Sequence, residues 1–359
     1  MMAMARQKRR TTIPTLRNSE IAELLALAAD SAKMPLQKAL RRASRKAYLW
    51  PEEVISLLEQ RRSLLELPAV GPHLARLISS WIEKPPEVPR PPEIRRGFLT
   101  LPEARAELEK KPEFASTVKG DLQMHTQWSD GSGTIEDMAR AAAERHYEYI
   151  AITDHSKGLK IAGGIDEEQL KRQAQEIDAV NSSLHAEGIR LQVLRSIELN
   201  LTPSGEGDMD PRSLRNLDVV LGCFHSSLRK KEDQTERYLA ALHNPDIQIL
   251  GHPRGRIYNF RLGLTAHWEQ VFGLAAELDK AVEIDGYPDR QDLNVDLLKL
   301  ARKAGCRISL GTDSHDPLQL RFMEYSLAAA SKAGVRRDRI LNFMTAAELR
   351  SWVSSVRGS

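Results

Sequence analysis

The chain has 359 residues, 41% of them hydrophobic and 28% charged, with a formal net charge of +3. That length accommodates a barrel of roughly 200–250 residues with a smaller domain beside it, and so small a total charge is no argument for nucleic-acid affinity, for which the distribution of charge matters more. The two cysteines, Cys223 and Cys306, exclude a disulfide framework and fit a reducing cytoplasm. No stretch approaches the ~20 apolar residues of a membrane span.

Residues 1–15 are basic and polar and are expected to be disordered. Arg9 and Arg10 lack a following apolar core, so a secretion signal is not expected. Residues 16–83 read as a small all-α domain, in which Ile21, Leu24, Leu25, Leu27 and Ala28 have helical spacing. Lys38, Arg41, Arg42, Arg45 and Lys46 put five cations and no acid on a predicted helix, a pattern suited to phosphate-backbone contact. Pro51, Glu52 and Glu53 look like the first turn of a helix. Residues 64–78 read as helix, tight turn, helix. Residues 84–118 form a linker: five prolines between Lys84 and Pro92 predict an extended connection, and a connector helix is expected over 102–110. From Lys119 to about Val353, within a domain spanning 119–359, apolar runs alternate with helical segments. The runs at 149–152, 191–194, 219–221, 247–250 and 308–310 read as buried parallel strands. Both cysteines lie in apolar strand-like stretches and are expected to be buried structural thiols.

Residues of metal-ligand type follow these runs: His125 and Asp130, His155, Glu198, His225, His252, then Asp313 and His315. In a βα barrel the functional residues sit on the face where strands end, so these eight would converge on one trinuclear site. Mixed imidazole and carboxylate donors suit zinc, manganese or iron better than calcium or magnesium. An isolated histidine, such as His185, His243 or His267, reads instead as a cap or a surface group.

The stretches 119–125, 152–157, 217–220, 249–256, 282–285, 290–294 and 311–315 resemble a PHP (polymerase and histidinol phosphatase) domain. The closest flavour is the domain at the C-terminus of bacterial family X DNA polymerases, and residues 18–82 resemble the N-terminal helical domain of those polymerases. The resemblance implies an α/β fold: a distorted (βα)7-type barrel preceded by an all-α, helix-hairpin-helix-like domain. It implies up to three divalent ions, manganese or zinc, or iron. Gln123, His125, Glu198 and Asp313 would surround one ion; Asp130, His155 and His315 a second; His225 and His252 a third, with Glu198 bridging. Glu198 and His225 would also act in catalysis, with Lys157 and Arg256 contacting phosphate. Asp154, beside a ligand, would orient the site.

Two departures matter. The polymerase palm and fingers have no counterpart, so nucleotide polymerisation is not expected. The usual His-x-His of the first motif is Gln123, Met124, His125. An amide oxygen is a weaker ligand than imidazole, so the first ion would bind more loosely or be a harder one such as manganese. In the hairpin of the helical domain, Ala69 stands where the first glycine of Gly-x-Gly is usual, which is disfavoured if that position needs φ > 0. The implied function is a metal-dependent phosphoesterase acting on DNA, as a 3′-5′ exonuclease or abasic-site repair nuclease. The alternatives are a small-molecule phosphomonoesterase similar to histidinol phosphatase, and a non-catalytic nucleic-acid-binding protein.

Overall fold

The alternation of apolar runs and helices from Lys119 onward produces eight parallel strands in the computed structural model, which describes residues 16–358. The stretch expected to be disordered, 1–15, lies outside the described residues. The strands are β1 (Gly120–Asp121), β2 (Tyr149–Ile152), β3 (Gln192–Arg195), β4 (Glu198–Asn200), β5 (Leu221–Cys223), β6 (Ile249–Leu250), β7 (Ala281–Asp285) and β8 (Arg307–Gly311). They lie in the orders β1-β2-β3 and β4-β5-β6-β7-β8. Only Ser196 and Ile197 separate β3 from β4, and the Ser196 hydroxyl donates to the Val219 carbonyl at 2.8 Å. Single bridges join His155 to Glu198 and Met124 to Ser314. With β3 and β4 counted as one bent strand, these bridges close a seven-stranded (βα) barrel, distorted where the ladders are interrupted.

Side chains alternate along each strand, because successive Cβ atoms point to opposite faces. Ile150, Ile152, Val220, Leu250 and Val282 join the core under the outer helices. Tyr149, Ala151, Leu221, Ile249 and Ala281 face inward, onto Leu349, Trp352 and Val353 of the last helix, Ala346–Gly358. Trp352 donates its indole N–H to the Asp279 carbonyl at 2.9 Å. Among the described residues no helix is long and apolar enough to cross a membrane.

The chain divides into two units, Met1–Pro91 and Pro92–Ser359. The segment from Pro92, read from sequence as part of the linker, therefore packs with the barrel. Its helix, Leu101–Leu108, is capped by Thr100 and Glu103 and ends two residues before the expected Lys110. Arg105 pairs with Glu324 at 2.6 Å, and the Gln291 amide exchanges hydrogen bonds with the backbone of Leu99 at 2.7 and 2.8 Å.

The described part of the first unit is helical: Asn18–Ser31, Leu36–Lys46, Val54–Glu59 and Pro72–Glu83, with short 3-10 turns between. Ile21, Leu25, Leu40, Trp50, Leu57 and Ile78 are fully buried. The helix expected to begin at Pro51 begins at Val54. The Asn18 amide takes both sides of this start, accepting from Val54 N at 2.9 Å and donating to the Glu52 carbonyl at 2.8 Å. Before the hairpin there is one 3-10 turn, Leu64–Glu66, in place of a full helix. Ala69 has φ 65°, the left-handed conformation that glycine adopts more readily. Its turn is held by Val70 N donating to the Leu67 carbonyl at 3.1 Å and by the Trp50 indole donating to the Pro68 carbonyl at 3.1 Å.

Candidate metal centre

Glu198 opens β4 at the mouth of the barrel and is fully buried. One carboxylate oxygen, Oε1, lies 2.7 Å from His252 Nε2 and 2.9 Å from His225 Nε2. The other, Oε2, lies 3.2 Å from His125 Nε2, 3.6 Å from His155 Nδ1, and accepts from the Gln123 amide at 3.2 Å. His125 Nε2 is also 3.1 Å from Asp313 Oδ1. Asp130 Oδ1 lies 3.2 Å from His315 Nε2 and 3.6 Å from His155 Nε2. All nine residues assigned to metal from the sequence thus meet in one polar cluster. Their donor atoms fall into overlapping groups: His125, Asp130, His155 and His315; His155, Glu198 and His225; His125, Glu198 and Asp313.

The electrostatics suit cations. Burial alone would raise the Glu198 carboxyl, but His155, His252, His125 and His225 hold it well below the carboxylate range. Burial pushes the His155 imidazole down to about 3, so the ring is neutral and one of its nitrogens offers a lone pair to a cation. Burial would also lower His125, but Asp313 and Glu198 raise it well above the usual value. Gln123 Oε1, His125 Nδ1 and His155 Nδ1 are buried without a hydrogen-bond partner among the described residues. Polar atoms left in this way are costly unless something completes them. Divalent ions held by imidazole and carboxylate fit that need. His252 (φ 20°) and Asp313 (φ 52°) adopt backbone conformations that L-residues rarely take, a strain that gathers at functional sites.

The PHP domain pattern matches residues 121–313, just over half of the chain. The chain belongs to the PHP family. The DNA polymerase/3′-5′ exonuclease PolX of Bacillus subtilis is 37% identical over 226 residues, which are 63% of this chain and 39% of PolX. This chain therefore spans well under half of that relative's length. A probable phosphatase of Thermoanaerobacter sp. (strain X514) is 27% identical over 237 residues, 62% of this chain and 89% of the phosphatase. A histidinol phosphate phosphatase from Lactococcus lactis, solved with zinc, L-histidinol and phosphate, is 18% identical, with a TM-score of 0.45 over 61% of this chain and 94% of that one.

Around this PHP cluster lies a second layer. Asp154 accepts from Thr126 N at 2.8 Å, Thr126 Oγ1 at 2.6 Å, Ser129 Oγ at 2.5 Å and Gln173 Nε2 at 2.7 Å. It thereby fixes the loop that carries Asp130, the orienting task expected of it. Asn200 Oδ1 lies 3.1 Å from His225 Nδ1, and the Asp313 carbonyl 2.8 Å from His315 Nδ1. Each acceptor holds the proton on Nδ1 and leaves Nε2 for a ligand. Glu283 accepts from His252 N at 2.7 Å. A Cβ added at Gly311 would stand 2.3 Å from Glu283 Oε1 and 2.8 Å from Gln123 Cβ, so only glycine fits between them.

Sequence reasoning passed over three neighbours of the cluster. Arg290 contacts Asp313 and lies 3.7 Å from Asp285; its presence in the stretch 290–294 was the available signal. Asn200 stood in the same strand as Glu198 without being singled out. Cys223 is buried, as expected, but beside Glu198 and His252. Burial, with Glu198 and Glu283 nearby, raises its thiol well above the usual value and keeps it protonated.

The two expected phosphate contacts, Lys157 and Arg256, each have partners within the PHP barrel. Lys157, two residues past His155, pairs at 2.7 Å with Glu167 at the start of the next helix. Arg256 is buried. It donates to the carbonyls of Arg290 at 2.9 Å, Arg96 at 3.2 Å and Gly97 at 2.7 Å, and lies 3.9 Å from the ring centroid of Phe98. Its fork clamps the segment before the barrel.

Proposed function

We propose that this protein, a metal-dependent phosphoesterase of the PHP family, hydrolyses phosphodiester bonds of DNA, as a 3′-5′ exonuclease or abasic-site nuclease. The observation that carries this reading is the helix Leu36–Lys46. Lys38, Arg41, Arg42, Arg45 and Lys46 are all exposed there, and none pairs with a carboxylate among the described residues. A phosphate backbone is a natural partner for such a face, whereas a small phosphomonoester has no use for it. The identity to PolX points the same way.

Divalent ions held by the cluster, manganese or zinc, supply a water of lowered pKa and neutralise charge on the phosphoryl oxygens. Glu198 would bridge ions through its two oxygens. Asn200 and the Asp313 carbonyl would keep His225 and His315 in the tautomers that bind metal. Arg290 would balance the buried carboxylates of Asp285 and Asp313 at the mouth. The second reading, a small-molecule phosphomonoesterase, is favoured by the probable phosphatase matched over 89% of its length. The deciding experiment incubates manganese-loaded protein with 3′-labelled single-stranded DNA and, separately, with histidinol phosphate. Release of labelled nucleotide is expected. Turnover of histidinol phosphate with intact DNA would overturn the reading in favour of the second.

A further inference from the structure

The loops after β5 and β6 form a cationic rim beside the metal cluster. Arg229, Lys230 and Lys231 are exposed on the first loop. The second turns back on itself: Ile257 and Arg261 exchange backbone hydrogen bonds at 2.8 and 2.9 Å, and Tyr258 N donates to the Asp289 carbonyl at 2.7 Å. This anchored turn holds Phe260 out with 53% of its surface exposed. The Arg229 guanidinium lies 4.6 Å from the centroid of that ring.

Beneath the turn is a cavity of about 170 Å³ whose lining includes four arginines, Arg96, Arg254, Arg256 and Arg261, and two acids, Glu93 and Asp296. Arg254 spends donors on the carbonyls of Leu264 and Leu262 at 3.2 and 3.0 Å, and Arg261 donates to the Gly255 carbonyl. Neither pairs with a carboxylate among the described residues. Burial, together with Arg290 and Arg229 as like-charged neighbours, lowers the Arg261 guanidinium from its usual value. Crowded cations of this kind gain from an anion between them. The cavity adjoins the chemistry: Arg256 holds the Arg290 carbonyl at 2.9 Å, and the Arg290 side chain reaches Asp313.

We propose that this rim is a subsite for the strand flanking the scissile phosphate of single-stranded DNA, its phosphate against Arg254 and Arg261 and its base on the ring of Phe260. A cationic groove with an exposed aromatic is the arrangement by which single strands are gripped without reading sequence. The inference deepens the phosphodiesterase reading and rests on it for the role of the metals.

The test measures binding of a labelled phosphorothioate dT12, which resists hydrolysis, to the manganese-loaded full chain across a salt series. Loss of one stacked base weakens binding by roughly fivefold or more, so Phe260→Ala should do so. Removing one phosphate contact should flatten the log–log salt dependence by about 0.7, the change expected of Arg261→Gln. Lys171→Gln, an exposed charge change on an outer helix, should alter neither. Phe260→Ala binding as tightly as the parent, or Arg261→Gln keeping the full salt slope, overturns the subsite. If Arg261→Gln does not fold, Phe260→Ala, which removes only an exposed ring, decides alone. The two readings fail separately. Uncut DNA with weakened binding in Phe260→Ala removes the phosphodiesterase and leaves the strand-binding rim. Cut DNA with unchanged binding removes the rim alone.

Discussion

Arg290 lies in direct contact with the carboxylate of Asp313. Burial would raise that carboxyl, but Arg290, ahead of His125 and His315, holds it below its ordinary range. A side-chain cation thus balances charge that a bound metal would also balance. Arg290→Gln should destabilise the metal-free protein. Breaking a buried ion pair costs roughly 3–5 kcal/mol. Here about 2 kcal/mol is expected, because 32% of the Arg290 side chain remains exposed. Thermal unfolding with and without manganese checks this. The gap to the parent should narrow when metal is present, and a gap independent of metal would show that the ion does not take over the role of the guanidinium.

Glu198→Ala should lose both bound metal and activity. Each of its oxygens faces imidazoles, at 2.7 and 2.9 Å on one side and 3.2 Å on the other, so the change removes a donor from several groups at once. Elemental analysis of the purified variant is the measurement. Metal content equal to the parent's would exclude Glu198 as a bridge.

Gln123→His should tighten the first metal position and move its preference toward zinc, since imidazole is the stronger donor. The buried Gln123 Oε1 has no hydrogen-bond partner among the described residues, while Nε2 donates to Glu198, so a donor already stands where the new nitrogen is wanted. Competition with a chelator reads the change. Identical affinities for every metal would mean that position 123 does not reach an ion.

A fragment beginning at Lys84 retains the segment that clamps the barrel through Arg256 and Gln291. It should keep activity on a small chromogenic phosphodiester and bind DNA more weakly. For every phosphate that the helical unit no longer neutralises, the log–log salt dependence should flatten by about 0.7 to 0.9. DNA affinity equal to that of the full chain would deprive the cationic helix of its assigned role.

Lys280 supplies a pH dependence remote from the metals. Its ammonium is buried, donates to the Asn244 carbonyl at 2.5 Å, and is pushed by burial down to about 8. The folded chain therefore gives up this proton earlier than the unfolded chain. The cost of burying the charge is fully present below pH 8 and disappears as pH rises from about 8 to the ordinary lysine value near 10.4. Relative to Lys280→Met, the parent should gain up to about 3 kcal/mol over that interval. Denaturant unfolding of both proteins at pH 7 and pH 10 checks the sign; a constant difference would show that Lys280 is not shifted.

The nature and order of the candidate metal donors were legible in the residues themselves. Histidines and acids following apolar runs must converge if those runs are parallel strands, and parallel strands buried on both faces leave continuous apolar runs such as 149–152. The short strands were harder to see. Gly120–Asp121 is half polar, and Asp121 is satisfied in the interior by donors from Thr312, just past β8, and from the Gln123 backbone N–H. Glu198–Asn200 continues β3 after a kink held by Ser196. Neither leaves an apolar run.

What the sequence by itself determined was therefore the set of strand-end histidines and acids that meet in the cluster and, through them, the family. The tertiary structure alone decided the partners of the long cations. Lys157, Arg256 and Arg290 all follow strand ends, and the residue type is compatible with phosphate at each. A flexible side chain goes to whichever acceptor the fold brings nearest. Lys157 meets Glu167, Arg256 meets the carbonyls of Arg96 and Gly97 from a segment some 160 residues away in sequence, and Arg290 meets Asp313. Metal ligands are read from type and order because the ion requires them; an arginine's partner is a matter of distance, and distance between remote segments exists only in the fold.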